Sequence, residues 1–358
     1  MKYIAAILIF LSITCACWFS YHNFIYSPHT YKIANNEGLK IDVDKKIFPA
    51  FALEEINNIA LITMVKDESD IIFENLVWHF CLGFRKFFII DNNSTDGTRQ
   101  IIAKFAELTK NRAKVFILED PIFEHIQSRI MTGAYDFVRS LWPEVKWVFP
   151  VDADEFWLPE QNINQILEKI PDNFDSISTL RISYRPSDDY YNFDPKVPFY
   201  KKIHFREKKL TAGAFKAAIR ATDKDLAIAQ GNHVVLYQHK KHINLLRKLK
   251  FMGQIEAISG NDLGLQMVEY HMRSTEQAHK KLYNGMRASL AAKEQKLIEN
   301  GIGLHWDQYK SDLEKYGQEA GKIRFEQTFI KSEEAIDDPL PIDHALKIFT
   351  KIIAIPLI

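Results

Sequence analysis

Cysteine is scarce in this chain of 358 residues. There are three, at positions 15, 17 and 81. The first two lie inside an uncharged N-terminal run, so the body holds one thiol and no internal disulfide framework. An excess of charge of one sign is also missing. Forty-six basic residues balance 46 acidic ones, which removes the overall basic footprint of a nucleic-acid binder. The local basic clusters Lys201-Lys202, Lys208-Lys209 and His239-Lys240-Lys241-His242 read as solvated surface. No internal repeat, low-complexity tract or glycine-rich phosphate loop occurs. What is present is apolar: 47% hydrophobic and 13% aromatic residues exclude a disordered chain, and the length permits one large core.

The apolar residues come in two alternating patterns. Ile59 to Val65 is a continuous apolar run, the signature of a strand covered on both faces. After Lys66-Asp67-Glu68-Ser69, the residues Ile72, Phe73, Leu76, Val77 and Phe80 recur at helical spacing until Gly83, a C-terminal cap. A second strand, Lys86 to Ile90, ends at Asp91-Asn92-Asn93-Ser94-Thr95-Asp96-Gly97, and Ile101, Ile102, Phe105 and Leu108 mark a second helix. Lys114 to Leu118 reads as a third strand, Ile130 to Leu141 as a third helix and Trp147 to Val151 as a fourth strand. The alternation predicts an α/β fold with a parallel, doubly wound sheet. Polar clusters follow the first, second and fourth strands, along one rim.

The fourth strand stops at Asp152-Ala153-Asp154-Glu155-Phe156. Strand residues two apart share a face, so Asp152 and Asp154 are expected to project together from the strand's C-terminal end, where open α/β sheets bind ligands. Paired carboxylates repel unless a cation lies between them. Hard oxygen ligands suit Mg²⁺ or Mn²⁺ carrying a diphosphate. Lys216, within the apolar Phe215-Lys216-Ala217-Ala218-Ile219, needs a partner if buried. A phosphate or Glu155 would serve.

These residues resemble family 2-type glycosyltransferases of the GT-A fold, and more narrowly the branch that includes family 92. The likeness rests on the Lys66-Asp67-Glu68 turn, the Asp91 to Gly97 turn, the Asp152 to Phe156 motif, Phe215 to Arg220, and Tyr270-His271-Met272-Arg273-Ser274. It covers roughly residues 58 to 290. Two features depart from the pattern: the tyrosine precedes His271 instead of following it, and Tyr184 to Arg206 matches loosely.

The resemblance implies a metal-dependent enzyme. It would transfer a sugar from a nucleotide-sugar, a uridine diphosphate sugar foremost, to a glycan or lipid-linked acceptor with inversion. It implies Asp154 as direct metal ligand and Asp152 on the ribose or the metal, with His271 as a distant ligand. Asp152, Asp154, Glu155 and Lys216 form the catalytic set. Asp91 would meet the base, with Lys66, Glu68 and Asn93 around base and ribose. Arg129, after Gln127, and Arg273, with Lys280 and Lys281, would approach the diphosphate. Asp96 reads as a helix cap. An inverting enzyme needs a carboxylate base, and Asp188, Asp189, Glu256 and Glu269 are candidates. Asp188-Asp189-Tyr190-Tyr191 reads equally as an acceptor loop or a surface turn.

A haloacid dehalogenase-type phosphohydrolase wants Thr or Val where Phe156 stands, and a sugar nucleotidyltransferase wants a glycine-rich loop where Lys66-Asp67-Glu68 stands. A non-catalytic sugar-nucleotide or glycan-binding protein would carry the same binding residues.

The ends differ from the body. Positions 3 to 19 carry no charge, which reads as a single-pass signal anchor over residues 1–20 followed by a polar stem over 21–57. Residues 58–290 form the expected catalytic domain and 291–358 a helical tail. Lys2 favours a translocated, lumenal domain. The lack of a disulfide and the sequons at Asn92 and Asn93, inside the expected nucleotide site, favour a bacterial inner-membrane enzyme facing the cytosol. From His344 onward, Leu346, Phe349, Ile352 and Ile353 recur at helical spacing beside Lys347 and Lys351. That stripe would lie on a membrane surface or dock on the protein's own core.

Overall fold

The computed structural model describes residues 31–34, 48–52, 54–122, 126–208, 215–237, 255–295 and 304–355. The expected anchor, most of the stem, the His239 to His242 cluster and the chain beyond Ile355 lie outside the described residues. Among the described residues no helix is long and apolar enough to cross a membrane.

The first half alternates as its periodicity predicts. A short strand β1 (Tyr31–Ala34) precedes β2 (Ile59–Val65), α1 (Ile72–Cys81), β3 (Lys86–Asp91), α2 (Thr98–Thr109), β4 (Lys114–Glu119), α3 (Gln127–Leu141) and β5 (Trp147–Pro150). Strands β5, β2, β3 and β4 lie side by side in that order, all parallel. Their apolar runs are continuous because both faces are covered. Ile59, Leu61, Phe87 and Ile89 point into the core beneath α1 and α2, whereas Ala60, Ile62, Phe88 and Ile90 point into a second core closed by α3. Helix α1 stops where expected. Gly83 takes φ +101°, and a Cβ there would lie 2.7 Å from the Ile56 side chain, so both backbone and space call for glycine.

The second half corrects the expectation of a wholly parallel sheet. It contains β6 (Glu155–Pro159), α4 (Ile163–Glu168), β7 (Ser176–Arg185), α5 (Phe199–Lys202), β8 (Phe205–Glu207) and β9 (Phe215–Arg220). Then come β10 (Leu226–Ile228), β11 (Val235–Tyr237), β12 (Ile255–Ser259), β13 (Leu265–Glu269) and α6 (Thr275–Glu294). The chain closes with α7 (Leu304–Tyr316), α8 (Ala320–Glu326), β14 (Ala335–Asp337) and α9 (Ile342–Ala354). Strand β9 inserts antiparallel between β5 and β7, and β13 pairs antiparallel with β6. Strand β7 in turn pairs in parallel with β12 and β13, so both directions occur beyond β5. The sheet is therefore mixed, in the order β1-β12-β7-β9-β5-β2-β3-β4.

The tail helix α9 docks on the protein. Ile342, Ala345, Phe349 and Ile352 are buried. The Phe349 ring meets Phe80 at 5.3 Å, and Phe73 and Phe105 at 6.1 Å each. Cys81 Sγ donates to the Ala345 carbonyl at 3.2 Å. The stripe that could have faced lipid thus covers α1 and α2.

Candidate active site

Parallel pairing of β5, β2 and β3 brings their C-terminal ends to one edge, and three polar turns leave from it. The turns after β2 and β3 interlock. Lys66 Nζ donates to the Asn92 and Asn93 carbonyls at 2.9 and 3.2 Å. Asp67, at φ +56°, accepts from the Thr95 backbone at 2.6 Å. The backbone of Glu68 donates to Thr98 Oγ1 at 2.8 Å. Asp96 sits one residue before the helix cap and accepts from the Thr98 backbone at 2.9 Å. Asn92 is buried, its amide donating to Asp120 at 2.8 Å, whereas Asn93 is exposed.

Asp91 is fully buried, with one carboxylate oxygen accepting from the Ser94 backbone and the other from Arg99, at 3.0 and 2.8 Å. Burial pushes its pKa up, but the bonds from Ser94 and Arg99 outweigh it and hold the group below its ordinary range. It is therefore held ionised and fixed in orientation beneath the rim.

The acidic turn departs from the expected geometry. Pro150 ends β5, and Glu155 N closes a tight turn onto the Asp152 carbonyl at 3.0 Å. Asp152 and Asp154 are consequently not strand neighbours on one face. Asp152 accepts from Gln127 at 3.1 Å, from Asn232 at 2.9 Å and from Lys216 at 2.8 Å. Lys216 also pairs with Glu155 and donates to the Gly231 carbonyl at 2.6 Å. The lysine in the apolar strand therefore has Glu155 as its partner. Burial lowers the Lys216 pKa, but the Asp152 and Glu155 charges overcome this and hold it high, as an ammonium. Burial likewise raises Asp152, and Lys216 overcomes it, leaving Asp152 low. Glu155 is pushed well up by burial and then by Asp152, against Lys216.

Asp154 points elsewhere. Its ligand atom, one from Glu269 at the end of β13 and one from His271 lie within 4.8 Å of one another. His271 Nδ1 is 2.9 Å from Glu269 Oε1, which fixes the donating proton there and leaves Nε2 with its lone pair. Arg181 pairs with the other Glu269 oxygen at 2.5 Å. Burial would raise Glu269, but the bond from His271 and the nearby cations hold it low and ionised. Two carboxylates and a neutral imidazole fit Mn²⁺, and Mg²⁺ less well. Glu269, and not the expected Asp152, lies with Asp154 and His271, because the turn sends Asp152 toward Lys216.

Helix α6 closes over the site. Ser274 caps it, accepting from Gln277 N at 3.1 Å. One face then presents Lys280 to Asp67 at 3.4 Å, Asn284 to Asp67 at 3.0 Å, and Lys281 to Asp154. Arg273, just ahead of the cap, is buried and paired with Glu68 and with Asp70 at 2.8 Å. The expected donor contacts Glu68 and Arg273 are thus spent on each other, tying the β2 turn to α6. Arg129 lies on the exposed side of the first turn of α3. Of the candidate bases, Glu269 lies with Asp154 and His271, Asp189 accepts from Ser187, and Asp188 is exposed. Glu256 lies on β12, paired with β1. The turn carrying Asp188 reaches the site through Tyr190, whose hydroxyl donates to the Arg273 carbonyl at 2.8 Å.

Asn232 and Gly231 were not visible as site residues. Both have positive φ, 58° and 71°, and Gly231 N donates to Gln127 Oε1 at 3.1 Å. The Gly-Asn pair in an otherwise unremarked loop was the available signal.

Residues 83–231 match the family model described as glycosyl transferase family 2. The matched stretch holds Asp91, Asn93, Arg129, Asp152, Asp154, Glu155 and Lys216, and ends before Glu269, His271 and Lys281. Among solved structures the chain is similar to the mannosyltransferase PcManGT from Pyrobaculum calidifontis in complex with GDP-Man and Mn²⁺. The identity is 14% over 97% of this chain and 90% of that one, with TM-score 0.37. It is also similar to S. aureus TarS 1–349 in complex with UDP-GlcNAc, at 15% identity over 70% of each chain and TM-score 0.36. Likeness of that degree assigns no chemistry. No curated protein matches.

Proposed function

We propose a metal-dependent, inverting glycosyltransferase of the GT-A type, because residues 83–231 match the family model described as glycosyl transferase family 2. It would take a nucleotide-sugar donor, uridine diphosphate sugars foremost, and a glycan or lipid-linked acceptor. The observation that carries the reading is the convergence of Asp154, Glu269 and His271 within 4.8 Å, at the sheet edge where Asp91 and Lys66 stand. Asp154, Glu269 and His271 would hold Mn²⁺, which supplies charge neutralisation to the diphosphate as it departs.

The chain's own residues have distinct roles in this reading. Asp91 accepts from the base, and Lys66 holds the two rim turns in register. Lys216 keeps Asp152 ionised and aimed by neutralising it in place, so the acidic turn keeps its shape before any ligand arrives. Of the four candidate carboxylates, Asp188 is exposed, in the turn that Tyr190 ties to the site. We assign it the acceptor proton. Residues 1–20 are proposed as a membrane anchor, with the domain over 58–290 facing the cytosol.

Acceptor-dependent release of nucleoside diphosphate tests the reading. A transferase releases it in proportion to acceptor, while a non-catalytic sugar-nucleotide binder retains the donor intact. Asp188→Asn should lower turnover about 100-fold or more with little change in donor affinity. An unchanged rate would remove Asp188 from the chemistry.

A further inference from the structure

The metal cluster is already shared with a cation of the protein's own. Lys281 Nζ is ion-paired to Asp154 Oδ2 and lies 3.4 Å from the His271 carbonyl. Asp154 is buried, and the Lys281 side chain keeps 22% of its surface exposed. The ammonium thus reaches in from the rim, on a flexible four-carbon stem rooted in the second turn of α6. A divalent ion on Asp154, Glu269 and His271 and this ammonium would share one carboxylate, two positive charges a few ångströms apart in a largely dehydrated site. Both cannot hold that carboxylate without strong repulsion. Of the neighbouring cations, Arg181, on the second Glu269 oxygen and not on Asp154, is as exposed as Lys281, and Lys216 and Arg273 have no place to yield. Lys216 is enclosed by Asp152 and Glu155, and Arg273 by Glu68 and Asp70. Lys281 is the cation among them that holds Asp154 and has a path to solvent.

We propose that Lys281 is a displaceable counter-ion: it neutralises Asp154 until a divalent cation arrives, and its ammonium then moves onto the diphosphate that the cation carries. The inference rests on the metal-dependent reading given above. A diphosphate carried by the cation would offer anionic oxygens to the displaced ammonium, and a compact ammonium is an apt phosphate partner. The exchange makes empty-site metal binding weak and couples tight metal binding to the donor. The enzyme would load metal and nucleotide together, and free metal would compete against Lys281.

The test is Mn²⁺ titration of the purified protein without nucleotide, followed by uridine diphosphate titration at saturating Mn²⁺, both by calorimetry. Lys281→Met should bind Mn²⁺ about tenfold more tightly than the wild type and uridine diphosphate about tenfold more weakly. Lys280→Met removes the same charge one residue away, from a side chain paired with Asp67, and should change Mn²⁺ affinity by much less. Lys281→Gln replaces the Met variant if that protein does not fold, as judged by its melting transition. Equal or weaker Mn²⁺ binding in the folded Lys281 variant overturns the counter-ion role, and unchanged nucleotide affinity overturns the phosphate contact. A wild type that binds neither uridine nor guanosine diphosphate with Mn²⁺ overturns the transferase reading itself. Nucleotide binding by the wild type with no effect of Lys281 overturns the inference alone.

Discussion

At the scale of single residues, neutralisation is the organising fact. Each carboxylate of the acidic turn has a cation against it: buried Lys216 for Asp152 and Glu155, and half-buried Lys281 for Asp154. A rim carboxylate without a partner would relieve repulsion when removed. Asp154 has a partner, so the sign reverses. Asp154→Asn should destabilise the metal-free protein by about 1–3 kcal/mol, less than a fully buried pair because Lys281 can turn to solvent. Adding Lys281→Met should recover most of that loss, a coupling readable from denaturant melts of the four proteins in the cycle. Independent effects of the two substitutions would contradict the pairing.

A second residue-scale prediction concerns acid. His79 is fully buried in α1, bonded to the Asn75 carbonyl at 2.8 Å, and burial pushes its pKa down to about 4. The unfolded chain takes up a proton near pH 6.5 that the folded one refuses. The stability this histidine carries is therefore complete above pH 6.5 and falls by about 3 kcal/mol as pH drops to 4. Glu74 shifts the opposite way, up to about 7 by burial, and masks the trend in the wild type alone. Comparing wild type with His79→Gln cancels Glu74. The difference in unfolding free energy should narrow on acidification across that window, and a constant difference would refute the assignment.

At the scale of elements, α9 acts as a staple. Phe349 is enclosed by Phe73, Phe80 and Phe105, so Phe349→Ala should cost about 3–5 kcal/mol. A loss below 1 kcal/mol in a urea melt would mean the helix does not dock as described. Elements were also where the sequence was most and least legible. Ile59 to Val65 and Lys86 to Ile90 declared buried strands because both faces of each are covered, and Gly83 declared the end of α1. The antiparallel place of β9 was not legible. Its apolar residues read the same whichever neighbour it pairs with, and direction follows from connections that composition does not encode. Asp152-Ala153-Asp154 misled for a related reason. The period-two rule holds only inside a strand, and Pro150 ends this one.

At the scale of the molecule, the site is assembled from both halves of the chain. The rim turns and acidic motif come from the alternating first half, while Glu269, His271 and Lys281 come from β13, the turn after it and α6. Local motifs announced the first group. Glu269 was visible only as one acid among four, because its value lies in a contact with Asp154 across 115 positions of sequence. Asn232 was invisible for the same reason.

The central claim is that a divalent ion at Asp154, Glu269 and His271 recruits a nucleoside diphosphate. Thermal unfolding of wild type and Asp154→Asn, with uridine or guanosine diphosphate and with or without Mn²⁺, tests it most directly. With Mn²⁺ and nucleotide at 100 times the dissociation constant, the wild type should gain about 2.7 kcal/mol. It should gain far less without the metal, and the variant should gain almost nothing in either case. A folded wild type that no nucleoside diphosphate stabilises, or an Asp154→Asn protein stabilised as much as the wild type, would contradict the account.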